Sequence, residues 1–81
     1  MKSMKHLEIS GIARYHNIET GFWGITDEKG NQWRPVNMPD QLKVNGSRVR
    51  CVVREVEDEV SVLMWGTPVE VISFHTTVNK D

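Results

Sequence analysis

Apolar and polar residues alternate along most of this chain with the two-residue period of half-buried strands. No stretch of ten residues carries capped helical periodicity. Leu7 to Tyr15 reads as a first strand, with Leu7, Ile9, Ala13 and Tyr15 on one face and Glu8, Ser10 and Arg14 on the other. Gly11 interrupts it, and a glycine inside a strand marks a bend or bulge that lets one strand serve two sheets. After a loop at His16 to Thr20, Phe22 to Thr26 and Gln32 to Val36 form a hairpin. Its connection is Asp27-Glu28-Lys29-Gly30-Asn31, in which Gly30 supplies the positive φ that closes the turn. Alternation puts Phe22 and Gly24 on one face and Trp23 and Ile25 on the other, so one ring of the aromatic pair points outward.

Pro35 and Pro39 then stop the strand pattern, and Pro39 to Lys43 has room for one helical turn. Val44-Asn45-Gly46-Ser47 is a turn. Arg48 to Val56 is the next strand, its arginines at 48, 50 and 54 alternating with Val49, Cys51 and Val53. The acidic run Glu55, Glu57, Asp58, Glu59 predicts a hairpin tip, Val60 to Trp65 a return strand, and Val69 to His75 a last strand after a kink at Gly66-Thr67-Pro68. Residues 6–76 are expected to form one domain, with flexible tails at 1–5 and 77–81.

A chain of 81 residues with five or six short strands hides its edges best as a small antiparallel barrel with little or no helix. The order of bent strand, hairpin, non-strand connection and second hairpin fits an OB-fold-like barrel, with an SH3-like barrel as the competing architecture.

The motifs Gly-Phe-Trp-Gly-Ile at 21–25, Pro-Val-Asn-Met-Pro at 35–39 and Met-Trp-Gly-Thr-Pro-Val-Glu-Val at 64–71 resemble a group of small bacterial OB-fold-like proteins of unassigned function. The resemblance spans roughly residues 9 to 74. Some members are secreted lipoproteins and some are labelled nucleic-acid binders because of their fold. It implies a barrel and no catalytic residue. This chain lacks the leader and lipid-bearing cysteine of the lipoprotein form, and the reading is cytoplasmic unless a leader has been removed.

Candidate chemistry is sparse. A lone cysteine excludes an intramolecular disulfide and a thiolate zinc site, and Cys51 among valines reads as a buried apolar residue. Histidines 6, 16 and 75 lack metal-ligand spacing, although His6 and His75 would meet if the first and last strands paired. No nucleophile elbow, phosphate loop or cofactor fingerprint occurs, so the expectation is a non-enzymatic protein without cofactor or metal.

The charged residues change the picture more. Net charge is −1, yet Lys29 to Arg54 holds six bases and one acid, a net of +5, whereas Glu55 to Glu70 holds five acids and no base. The two blocks either form separate flanks or cancel across the second hairpin, for example through Arg54 with Glu57 or Glu59. In an OB-like barrel the ligand face would present Trp23 or Phe22, Trp33 and Arg34, with Arg14 and Tyr15 alongside. Aromatic rings beside arginines suit single-stranded nucleic acid, the rings stacking on bases and the guanidinium groups holding phosphates. A protein partner on the same face or on an edge strand is the alternative. Nothing calls for a membrane. Trp65, beside Leu63 and Met64, is expected in the core.

Overall fold

The computed structural model describes residues 5–57 and 65–75. These form β1 (His6–His16), β2 (Phe22–Asp27), β3 (Gln32–Pro35), β4 (Arg48–Glu55) and β5 (Thr67–His75), with a single 3-10 turn at Asp40–Leu42. The strands make one sheet that closes on itself in the order β1-β2-β3-β5-β4, with β4 paired back to β1. The described residues are thus all-β apart from the 3-10 turn, and no helix among them is long and apolar enough to cross a membrane.

The ring closes because β1 serves two partners. Its last six residues pair with β2, from Gly11 opposite Asp27 to His16 opposite Phe22. Its first seven pair with β4, from His6 opposite Arg54 to Ile12 opposite Arg48. Gly11 lies where the two pairings overlap, and a side chain there would find no room: a Cβ would stand 2.3 Å from the carbonyl oxygen of Thr26. Glycine lets the two backbones cross this closely, so the strand can bend from one partner to the other.

The sheet is not purely antiparallel, as the alternation suggested. β3 and β5 run parallel, Trp33 opposite Thr67 and Pro35 opposite Val69. Pro35 has no N–H to offer and ends β3, but Val36 N–H continues the contact by donating to Val69 O at 2.8 Å. The Asn37 side chain then acts as one more backbone unit, its Oδ1 accepting from Val71 N–H at 2.8 Å and its Nδ2 donating to Val71 O at 3.2 Å.

Among the described residues β4 pairs antiparallel with β1 on one side and with β5 on the other. Residues 60–64 of the expected return strand, Asp58 and Glu59 of the acidic tip, and residues 1–4 and 77–81 of the tails lie outside the described residues. Pairing slips by one residue between Val52, opposite Ser73, and Val53, opposite Val71. Ile72 is the extra residue. This bulge reverses the side-chain phase, so Val69 and Val71 before it and Phe74 after it all contact the core, while Ile72 stays exposed.

The interior is filled by Ile9, Ala13, Ile25, Val49, Cys51, Val53, Val69 and Val71 from the strands and Leu42 from the 3-10 turn. Cys51 is fully buried, and burial pushes its thiol up to about 11. It behaves as a small apolar core residue. His6 and His75 do not meet: β1 and β5 pair with opposite edges of β4, His6 opposite Arg54 and His75 opposite Arg50. Arg54 pairs with Glu70 directly opposite on β5, so part of the basic strand's charge is balanced across the sheet.

The β2–β3 connection is organised by Asp27. Its Oδ1 accepts from the backbone N–H of Lys29 at 3.0 Å and of Asn31 at 2.9 Å, and its Oδ2 accepts from the Asn31 side chain at 3.1 Å and the Trp33 indole N–H at 3.2 Å. Gly30 takes φ 88° in this turn. Desolvation favours the neutral acid, but the donors from Trp33, Asn31 and Lys29 outweigh it and hold the carboxyl below its usual value of 3.8. A carboxyl depressed by folding contributes stability above its unfolded pKa and loses it as pH falls through its folded pKa. Thermal melting temperature is therefore expected to fall as pH drops below about 4, the unfolded value of an aspartate. Asp27→Asn should melt lower at neutral pH and flatten that acid limb. An acid limb identical in the variant would remove this role from Asp27.

Candidate functional site

Two faces of the closed sheet have to be kept apart, and register assigns each side chain to one. On β1 the odd-numbered residues point inward and the even-numbered ones outward; Ile9, Gly11 and Ala13 are buried inside, and Arg14 is exposed outside. On β2, Trp23 and Ile25 point inward and Phe22 and Gly24 outward. Of the adjacent aromatic pair, Phe22 is therefore the outward ring.

The five residues singled out from the sequence fall into four places. Tyr15 and Trp23 are cross-strand partners at one rim, their rings edge to face at 5.5 Å, with Tyr15 46% exposed and Trp23 packed against the core. Trp33 is also half-buried against the core, and its indole N–H is committed to Asp27. Arg14 is on the outer face, exposed, opposite Gly24. Arg34 is only 7% exposed and donates from Nε to the carbonyl of Trp65 at 3.2 Å. These residues do not form one continuous platform.

The outer face of β1 and β2 instead carries a ring cluster that includes Trp65. His16 and Phe22 are cross-strand partners, and their rings stack at 4.9 Å and 10°. The Trp65 indole leans on both, 4.6 Å from His16 and 5.3 Å from Phe22. Beneath it is Gly24, where an added Cβ would come within 2.5 Å of the indole ring. Trp65 thus covers the outside of the sheet and is absent from the internal core. Its backbone is clamped by Arg34 from β3. The signal for this cluster was the glycine itself: Gly24 beside Phe22 leaves a bare strip of backbone on which a large ring can lie.

Chemically, the cluster is a half-exposed aromatic shelf with a cation at its edge. Rings at this spacing present π-faces and edges to a planar ligand, and Arg14 sits one pairing step from the His16–Phe22 pair. A second feature, an open groove of roughly 360 Å³, lies between Leu7–Ser10 of β1 and the Asp27–Trp33 hairpin. Its carboxylates are engaged: Glu8 pairs with Arg50 at 2.9 Å, Glu28 with Arg48 at 3.7 Å, and Asp27 with the hairpin donors. Among the described residues no three His, Cys, Asp or Glu side chains converge in a way that would hold a metal ion. No protein-family model, curated protein or solved structure matches this chain at a significant level, which leaves the geometry of the aromatic shelf as the ground for its function.

Proposed function

We propose that this chain is a non-enzymatic, OB-fold-like module that binds single-stranded nucleic acid on the outer face of β1 and β2. The observation that carries the reading is the His16–Phe22–Trp65 cluster, three rings on an outward face beside the exposed Arg14. Single strands expose unstacked bases, and a ring shelf with a neighbouring cation meets both the base and the phosphate. The closed five-strand order, the shared and bent β1 and the short 3-10 connection before β4 support the OB-like architecture. With a net charge of −1 the protein lacks the strong basic field of a non-specific binder, so stacking carries most of the affinity.

The test is intrinsic tryptophan fluorescence during titration with a mixed-sequence single-stranded DNA at low salt. Trp65 is one of three tryptophans and sits in the proposed site, so binding should quench emission to saturation. Removing one stacking ring costs about 1 to 3 kcal/mol per base, so Phe22→Leu and Trp65→Leu should each weaken binding about tenfold or more. A flat titration with the folded wild-type protein would overturn the reading and favour a protein partner on the same face.

A further inference from the structure

The ring cluster occupies one corner of a longer outward face that continues from β1 onto β4, and the register makes its side chains explicit. Ile12 lies opposite Arg48 and Ser10 opposite Arg50, so Arg48 and Arg50 project on the same side as Arg14. Both are well exposed, at 65% and 62% of the side chain. Arg14 lies one pairing step beyond Arg48 on the neighbouring strand. The three guanidinium groups therefore form a diagonal row that begins beside Phe22 and His16 and runs away from them across the β1–β4 pair. Residues two apart on one strand face are separated by roughly 7 Å. That interval is comparable to the step between phosphates of an extended single strand.

Building on the nucleic-acid reading, we propose that Arg14, Arg48 and Arg50 form the phosphate track of the site, setting the path of the strand from the aromatic shelf across β1 onto β4. Arg14 has no ion-pair partner among the described residues. Arg50 and Arg48 are paired with Glu8 and Glu28, both of them on the exposed surface. Exposed ion pairs of this kind are worth about 0 to 1 kcal/mol, so a phosphate with several acceptor oxygens can replace the carboxylate at little cost. The two glutamates act as built-in competitors for the track and weaken binding in the free protein. Arg54 is outside the row, being held by Glu70, and so is Lys43, which pairs with Asp40 at 3.1 Å after the 3-10 turn.

The experiment measures the affinity of a short fluorescein-labelled single-stranded DNA by anisotropy over a series of salt concentrations. Three phosphate contacts predict a slope of log K against log salt near −2, since each contact on a single strand contributes about −0.7. Arg48→Gln with Arg50→Gln should reduce that slope to about −0.7 and lower low-salt affinity roughly tenfold. Lys43→Gln should leave both unchanged. Glu8→Gln with Glu28→Gln frees the two arginines and should raise affinity severalfold, a gain that damage to the fold would not produce. Wild-type binding with an unchanged slope and affinity in the arginine variant, its fold verified by circular dichroism, would overturn the track while leaving the aromatic shelf in place. No binding by the wild-type protein at low salt would overturn the track together with the nucleic-acid reading.

Discussion

Gly11→Val is expected to leave this protein unfolded at 25 °C. The position is buried, and the first atom of any side chain would press against main chain: 2.3 Å from Thr26 O, 2.8 Å from its carbonyl carbon and 2.9 Å from Asp27 Cα. None of these is the far end of a side chain that can swing away. Relief requires β1 and β2 to move apart at the point where β1 passes from one partner to the other, which opens the ring. Overpacking a core costs about 1 to 3 kcal/mol when side chains can adjust, and a clash with backbone costs more. A domain of this size has a total stability on the order of 4 to 12 kcal/mol. Gly11→Ala should therefore lose about 3 kcal/mol or more, and the β-branched valine should exceed what remains. Gly30→Ala is the contrast. It pays for a positive φ, but a Cβ there meets nothing within 4 Å, so the loss should be about 1 kcal/mol. Urea unfolding followed by circular dichroism distinguishes the two; equal losses at positions 11 and 30 would show that the close approach is not what closes the sheet.

Arg34→Ala should cost about 2 to 3 kcal/mol and release Trp65. A guanidinium at 7% exposure has lost most of its water, and its Nε–H donates to the Trp65 carbonyl. Hydrogen bonds from charged donors contribute about 1.5 to 3 kcal/mol, and the arginine stem adds packing that alanine lacks. The substitution strikes the segment that places the indole over Gly24. Tryptophan emission should consequently shift to longer wavelength in the folded variant, and oligonucleotide binding should weaken even though Arg34 is too buried to offer its charge to a ligand. Gly24→Ala reaches the same indole from below, through the 2.5 Å approach to its ring, and should shift emission in the same direction with a smaller loss of stability. Unchanged emission in both variants would mean that Trp65 does not depend on the cover described here.

The local elements were largely legible in the residues. The strands expected at Leu7 to Tyr15, Phe22 to Thr26 and Gln32 to Val36 match β1, β2 and β3 to within one residue at each end, because every boundary but the start of β1 coincides with a turn former or a proline. The single helical turn allowed between Pro39 and Lys43 is the 3-10 turn at Asp40–Leu42. Less of the candidate site could be read. Arg14 and Tyr15 were chosen because their strand lies beside the expected ligand face, and both lie at the surface, but Trp33 and Arg34 were chosen by strand position and residue type, and neither says whether a polar tip finds a buried partner. Trp33 found Asp27 and Arg34 found the Trp65 carbonyl. The last strand carried a readable sign that only the register explains: apolar residues at Val69 and Val71, then at Ile72 and Phe74, shift phase in the way a one-residue bulge requires.

By itself, then, the sequence determined where the first three strands begin and end, that Gly11 bends the first of them, and that Phe22 and Trp23 face opposite ways; it put the start of the last strand at Val69, whereas β5 begins at Thr67. Alternation fixes two faces without saying which is inside, because a period of two is symmetric. Only closure of the sheet broke that symmetry. Pairing β1 with both β2 and β4, and β3 in parallel with β5, made one face an interior and sent Trp23 to it. Phe22 was left outside, where His16 and the distant Trp65 could join it. Contacts between residues far apart in the chain depend on which strands become neighbours, and no local pattern encodes that choice.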